Sequence, residues 1–593
     1  MTKDLSGDSK APPIAGFRFS PVWLLFLCAM PLWALWLTYA YTVDVPYWDA
    51  WDSTWPIFQK FHAGTLALGD FLAFQNEHRV CFPRIVGFLL GLASHWNIRV
   101  EAFGSWVLAC ASALNLWRLA RVTGGTRFGW WLPVGLTFLL FSPVQYETWL
   151  LGASAFEFPV VCLTASLWIP LTATPLAFLW AMALATIATF SIASGFLVWI
   201  VVTPILALSM DWKRHHAGWT LWIAAFLLNV IFYFHGYQKP ERSPSAALFI
   251  HQPLMTAKFA LAYLGADFAL DTFNATIVGT FLTVVFFGCI VILWRRRADR
   301  SLVVRALPWT MLAAFAFANA ALTAIGRIGF GVEEALSTRY IAISILLPIS
   351  LLYLAPALLI DVPEERFLGA SRGLRAAVIC FFAVALAGLQ IAASVGISGI
   401  CVEMQHLRLK GKAALTFIDV LPNLPVLKTV SYEDVALLRK KADAVDGFGY
   451  LRPGLLKSLA IRALADPSSP GDPRYGQFTD AGAAGPGAWK ASGIAQLPEA
   501  GRPADAILLT CDDGRNDPVI FAFAKMKLPT VAWNGAIEET TTDARWFARI
   551  TQSQVPAAAK TIKAWAYNAE TGCAHRLQGE IPLTSSTGNI PAN

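Results

Sequence analysis

Eleven apolar runs, each close to the length a helix needs to cross a bilayer, constrain this chain more than anything else in it. They centre on residues 21–41, 100–120, 130–144, 154–171, 174–191, 195–211, 218–236, 275–294, 306–325, 338–359 and 376–396. A hydrocarbon core of about 30 Å takes roughly 20 apolar residues as a helix, with latitude for tilt. A chain with so many runs reads as an α-helical polytopic membrane protein. Its charged residues, 14% against about 25% in soluble domains, agree. The 24 Trp suit aromatic belts at the two interfaces.

Charge sets the orientation. Basic residues gather at Lys3/Lys10/Arg18, Arg118/Arg121/Arg127, Lys213/Arg214, Arg295/Arg296/Arg297/Arg300/Arg305 and Arg366/Arg372/Arg375. With about eleven crossings all five groups share one side, which the positive-inside rule makes cytoplasmic. The tail 1–20 is then cytoplasmic. The run from Pro21 is a retained anchor, because it passes into Tyr39-Ala40-Tyr41 without a small-residue cleavage site. Loop asymmetry accounts for the net charge of +7, and no nucleic-acid partner is implied. Two further apolar pieces, 80–97 and 255–270, would invert every later loop if they crossed. They are expected as interfacial or half-inserted helices on the outer side.

The membrane domain is therefore expected over 21–400, with an outer loop at 43–99. Residues 401–473 carry mixed charge with helical spacing, as in Tyr432-Glu433-Asp434-Val435-Ala436-Leu437-Leu438, and read as a helical linker ending in the turn-rich 466–473. From 474 to 593 short β-like runs alternate with turns, the pattern of a β-sandwich-like domain. An odd number of crossings places it outside the cytoplasm. The nine Cys lack zinc-ligand spacing. Cys511 and Cys573 are either a disulfide or two unpaired thiols.

The chemistry-bearing residues lie at the outer ends of these runs. Asp44, Asp49 and Asp52 fall within nine residues, and Gln75-Asn76-Glu77-His78-Arg79 and Pro83-Arg84 follow. Ionisable groups set against a bilayer are costly, so a dense group of them points to function. A partly desolvated carboxylate can take a proton from an acceptor hydroxyl or amide. Asp49 stands first as candidate catalytic residue, with Asp52 and Asp44 behind it. The plainer reading is that the acids solvate a helix end anchored by Trp48 and Trp51. Arg327 and Arg339 stand at the two feet of one hairpin, where guanidinium forks suit a phosphate, or snorkel to lipid headgroups. Arg79 and Arg84 are further candidates, and His78 is either a ligand or base, or a structural residue. Gln145-Tyr146-Glu147, Glu157, Asp267 and Asp271 either line a sugar pocket or simply make loops polar. No Walker loop, dinucleotide GxGxxG or HExxH is present.

Tyr47-Trp48-Asp49, Asn76-Glu77-His78-Arg79, and Gly326-Arg327 through Ser337-Thr338-Arg339-Tyr340 give the chain a resemblance to known proteins. Over roughly residues 20–400 it resembles the GT-C superfamily of membrane glycosyltransferases, and more narrowly bacterial membrane proteins grouped with it. The resemblance implies a sugar donor on a polyprenyl phosphate, used on the outer face of the bacterial inner membrane. The acceptor would be a cell-envelope glycan, lipid or protein. It maps the early-loop base onto Asp49 or Asp52. Glu77, His78, Arg79, Arg84, Gln145, Glu147, Arg327, Arg339 and Tyr340 are the candidate substrate-binding residues. The adjacent acid pair of mannosyltransferases is absent here, which leaves the base and a divalent metal requirement open; no other cofactor is implied. The rival reading is a transporter or flippase for lipid-linked glycans, although the charges lie at run ends and no internal repeat is visible. A third makes the C-terminal domain a carbohydrate-binding module stacking Trp533, Trp546 and Trp565 on sugars.

The charge pattern predicts that a reporter fused after Asn593 is active only outside the cytoplasm. Cytoplasmic activity would overturn the orientation.

Overall fold

Each apolar run that the sequence marks is helical in the structure. The computed structural model describes residues 21–583 except 153–155, 173, 210–215, 241–243, 246, 361–370, 486, 513–516, 527–529, 532–536, 540–543 and 558. The tail 1–20, Lys213, Arg214, Arg366 and Trp533 lie outside the described residues. Among the described residues six helices are long and apolar enough to cross a membrane: Pro21–Tyr41, His216–Phe234, Thr272–Arg295, Arg300–Phe330, Thr338–Ile360 and Arg372–Thr416. The remaining expected crossings form helix Ile98–Val122 and the shorter apolar helices Trp131–Leu140, Glu157–Thr172, Leu176–Thr189 and Ala193–Ser209. The two expected interfacial pieces are helices as well, Cys81–Ser94 and Pro253–Gly265.

The chain divides into two compact units. The first comprises Met1–Ala40, Leu72–Pro83 and Ala102–Ser398. Its helices pack closely where side chains are smallest. A Cβ on Gly265 would lie 2.0 Å from the Ala275 carbonyl oxygen, and one on Gly279 would lie 1.8 Å from that of Leu261. Glycine at both positions is what lets Pro253–Gly265 and Thr272–Arg295 approach backbone to backbone. Within the core, Trp309 stacks on Tyr353 at 4.7 Å and donates its indole N–H to Thr123 Oγ1 at 3.0 Å. The outside is the reverse of a soluble surface. Val378, Phe381, Val384 and Val395 lie exposed along one helix, and Leu228 and Ile231 along another. Such faces are stable against lipid chains and not against water.

The second unit comprises Tyr41–Phe71, Arg84–Glu101 and Gly399–Asn593. Its C-terminal part holds two five-stranded antiparallel sheets. One runs Gly476–Gly485, Ala488–Leu497, Arg545–Thr551 and Lys525–Met526, with Arg502–Pro503 beside the second strand. The other runs Ala574–Arg576, Thr561–Tyr567, Ala506–Asp512 and Val519–Phe523, with Ile581–Pro582 beside the second. Ala491, Ala495, Trp546 and Ile550 from the first meet Ile507, Leu509, Ile562 and Ala564 from the other in one shared core.

Two readings left open by the sequence close here. Trp546 and Trp565 are core residues, 1% and 0% exposed, so neither presents a ring to a sugar. Trp565 instead donates its indole N–H to Thr510 Oγ1 at 2.9 Å. Cys511 and Cys573 are not bonded to one another. Cys511 pairs in register with Ile562, whereas Tyr567, at the other end of that strand, pairs with Ala574 beside Cys573. Five residues of strand separate them by roughly 17 Å. A disulfide needs Cα atoms about 4.4–6.8 Å apart.

The stretch expected as a linker is bonded into the sheets. Ile461 N–H donates to the Pro518 carbonyl at 3.0 Å, Ile520 N–H to Leu459 at 2.8 Å, Asp472 N–H to Arg576 at 3.0 Å and Ala574 N–H to Leu464 at 3.0 Å. A net hydrogen bond is worth about 0.5–1.5 kcal/mol. A fragment of residues 455–593 is therefore expected to exceed 474–593 in stability by roughly 2 kcal/mol or more, measured by urea unfolding. Equal midpoints would show that the four bonds contribute nothing.

Candidate functional site

In the first unit the site begins with a two-residue hairpin. Phe74–Gln75 pairs with His78–Arg79, leaving Asn76 and Glu77 as the turn. Asn76 has φ +52°, a left-handed conformation that asparagine tolerates better than most residues. Arg79 fixes this hairpin in place. Its guanidinium donates to the carbonyls of Tyr233 (Nε, 2.7 Å), Leu72 and His235, and packs 4.0 Å from the centre of the Phe74 ring. The Arg79 backbone N–H donates to the Tyr233 hydroxyl at 3.1 Å. Arg79 is thus a scaffold residue, and its rigidity aims Glu77 and His78.

Glu77 accepts from Arg327, which ends helix Arg300–Arg327. Their side chains keep 24% and 27% of their surface, so the pair is neither solvated nor sealed. His78 accepts the Ala193 N–H at Nδ1, 3.3 Å away, and its Nε2 lies 3.9 Å from Glu77 Oε1. The arginine at the other foot of the hairpin is also paired. Arg339 donates to Glu334 Oε1 at 2.9 Å, an oxygen that also accepts the Tyr340 hydroxyl at 3.1 Å. Glu147 Oε2 accepts the Arg339 backbone N–H at 2.9 Å and the Thr338 hydroxyl at 3.1 Å. Tyr340 stacks on Tyr263 at 5.6 Å and meets the edge of Phe156 at 5.8 Å. Burial pushes the His78 imidazole down to about 4, against the pull of Glu77 and with a further push from Arg327 and Arg339. The two ion-pair groups are joined by the short connection between Arg327 and Arg339.

Six of the sequence candidates come together here: Glu77, His78, Glu147, Arg327, Arg339 and Tyr340. Gln145 does not offer its side chain to a ligand in the same way. It is buried, and its amide donates to the Leu140 carbonyl at 2.6 Å. Glu334 was missed, although Glu333-Glu334 lies between the two arginines in sequence and is the natural place to look for their partner. Two carboxyl groups of this unit are buried without a cation partner. Both oxygens of Glu157 and both of Asp267 are enclosed without a hydrogen bond of good geometry. Burial pushes the Asp267 carboxyl up to about 7.

The early-loop acids belong to the second unit. Asp44 accepts the Ile98 N–H at 3.0 Å, and buried Arg408 clamps the carbonyls on either side of it, those of Val43 (3.1 Å) and Val45 (2.8 Å). Asp52 accepts from Lys441 at 2.6 Å and from the Tyr432 hydroxyl at 2.8 Å. Asp49 is exposed at the head of helix Ala50–Ser53 and makes no capping bond there. The residue before it, Trp48, has φ +40°, a strained conformation for an aromatic side chain. Arg84 is a scaffold residue like Arg79, donating to the carbonyls of Asp70 and Phe71.

Chemically, the first-unit cluster alternates guanidinium and carboxylate at half-buried positions. Guanidinium forks bind phosphate, and carboxylates bind hydroxyls. Among the described residues no group of three or more His, Cys, Asp or Glu is placed to hold a metal ion. No protein-family model, curated protein or solved structure matches the chain.

A pH dependence follows from His78. Its folded value of about 4 lies below the ordinary 6.5, so the unfolded chain takes up the proton first as pH falls. The stabilising contribution is complete above pH 6.5 and is lost as pH falls from 6.5 toward 4. Its size is on the order of 3 kcal/mol at most. His78→Gln is expected to flatten the fall in melting temperature across that window; an unchanged slope would place the acid sensitivity elsewhere.

Proposed function

We propose that this chain is an integral-membrane glycosyltransferase of GT-C type, with about eleven crossings, acting at the outer face of a bacterial inner membrane. It moves a sugar from a polyprenyl-phosphate donor to a cell-envelope glycan, lipid or protein, and its C-terminal domain lies outside the cytoplasm. The observation that carries this reading is the cluster of Glu77, His78, Arg327, Glu334, Arg339 and Glu147 at the ends of apolar helices. A glycosyl phosphate presents a phosphate and several hydroxyls, and the cluster offers a partner to each. On binding, the phosphate competes with Glu77 and Glu334 for the guanidiniums. Those carboxylates are then available to sugar hydroxyls.

In this reading the acceptor loses its proton to a carboxylate as its oxygen bonds to the anomeric carbon. The anomeric C–O bond to phosphate breaks, and the lipid phosphate leaves with the negative charge that the arginines stabilise. Asp49 is the assigned base. The assignment rests on the resemblance carried by Tyr47-Trp48-Asp49, and Asp44 and Asp52 are both engaged in bonds that hold the local fold.

Asp49→Asn is expected to lower transfer roughly a hundredfold to ten-thousandfold with expression intact. Arg327→Lys and Arg339→Lys should each weaken donor binding and turnover, because an ammonium cannot reproduce a bidentate fork. Transfer assays with the purified chain in nanodiscs check both. If Asp49→Asn and Asp52→Asn both retain full transfer, the loop is not catalytic.

One observation favours the transporter or flippase alternative. Buried Glu157 and Asp267 lack a cation partner, as proton-carrying groups in transporters do. Under that alternative Glu157→Gln and Asp267→Asn abolish movement of a lipid-linked glycan across vesicles. Under the transferase reading both variants retain transfer.

A further inference from the structure

The C-terminal sheets present one face whose composition the fold itself does not call for. On strand Arg545–Thr551, Trp546 and Ile550 point into the core, so Arg545, Phe547 and Arg549 point outward. Register places Arg545 opposite Ile494, Phe547 opposite Ser492 and Arg549 opposite Lys490. On its other side Phe547 faces Lys525. Phe547 is 51% exposed and Ile494 40%, which leaves two large apolar side chains on an open sheet among four cations. Lys490 pairs with Asp480 at 3.0 Å, and Arg545 is engaged as well.

Folding alone disfavours such a face. Like charges directly opposite one another across a strand pair are destabilising, and Arg549 and Lys490 are so placed. An exposed phenylalanine in the middle gains nothing from water. Both features become favourable once an anionic, partly apolar ligand lies across the strands. The hydroxyls of Ser492 and Thr479, 3.4 Å apart, add neutral hydrogen-bonding groups at the same level.

We infer that this face, centred on Phe547, binds an acidic glycan. Pyranose rings carry apolar C–H faces that stack on an aromatic ring, and their carboxylate or phosphate substituents pair with Arg549, Lys490 and Lys525. Lys490, Arg549 and Lys525 lie on three successive strands, a spread that calls for an extended, multiply charged ligand. An anionic bilayer would satisfy the cations, but hydrocarbon offers nothing to the neutral hydroxyls set beside Phe547. The inference goes beyond the transferase reading and does not rest on it.

The test uses the full chain in detergent micelles and measures binding to polygalacturonate, with neutral dextran and a single-stranded oligonucleotide as comparisons. Polygalacturonate is expected to bind at least tenfold more tightly than either, and to weaken as salt rises. Lys525→Glu with Arg549→Glu should reduce that affinity at least tenfold, and Phe547→Ala severalfold. Because all three positions are exposed, unchanged melting temperatures are expected. Hydrogen exchange on the unmodified chain gives a second readout, with polygalacturonate protecting residues 488–497 and 545–551. Equal binding of dextran or of the oligonucleotide, affinity untouched by the variants, or protection confined to other residues would each overturn the inference. So would protection of the same strands by anionic-lipid nanodiscs without glycan.

Discussion

A buried charge must find its partner inside the protein, and that requirement organises both units. Arg79 is satisfied by three backbone carbonyls and an aromatic ring, and Arg408 by the carbonyls of Val43 and Val45. In each case a guanidinium is used to pin an irregular segment: a hairpin in the first unit, the stretch around Asp44 in the second. Buried irregular backbone is costly unless its polar groups are bonded, and a five-donor side chain bonds several at once. The arginines are therefore part of the reason these segments hold their shape.

That distinction separates two kinds of arginine in one chain. Arg79, Arg84 and Arg408 donate to carbonyls, partners that cannot leave without unfolding the segment that carries them. Arg327 and Arg339 donate to the carboxylates of Glu77 and Glu334, partners on side chains that can rotate away. An incoming anion can replace a carboxylate at small structural cost, but it cannot replace a backbone carbonyl. The identity of the acceptor marks which positive charges are available to a ligand.

The helical architecture was legible because the apolar runs are long and the turn-rich region after residue 466 is distinct in composition. The C-terminal strands were legible from their alternation, and the two arginines at the feet of the 327–339 hairpin from their place in a short connection, although not their pairing with Glu77 and Glu334. Other features depend on register and long-range contact, which local pattern does not carry. Trp546 and Trp565 sit in strand-like runs, which favours the core, but only the sheet face excludes stacking on a sugar. Cys511 and Cys573 have no sequence feature that reveals their separation along a strand. Arg79 and Arg327 look alike in sequence, since the carbonyls that engage Arg79 come from residues about 155 positions away.

The buried carboxyls take the same constraint to its limit. Glu157 and Asp267 have no compensating cation, and an ionised carboxylate in such a place costs far more than a neutral one. Asp267, with its carboxyl raised to about 7, holds a proton that the unfolded chain would release near 3.8. Its folded value is raised, so its contribution to stability is complete below pH 3.8 and declines as pH rises through 7. The dependence runs opposite to that of His78, whose contribution is lost toward acid. The two windows overlap: as pH rises from about 4 to 7, His78 regains its contribution while Asp267 loses its own, so the two dependences oppose one another across that range. Removing either group exposes the slope of the other, because each titrates for its own reason: an imidazole whose charge burial disfavours, and a buried carboxyl with no positive charge to meet it.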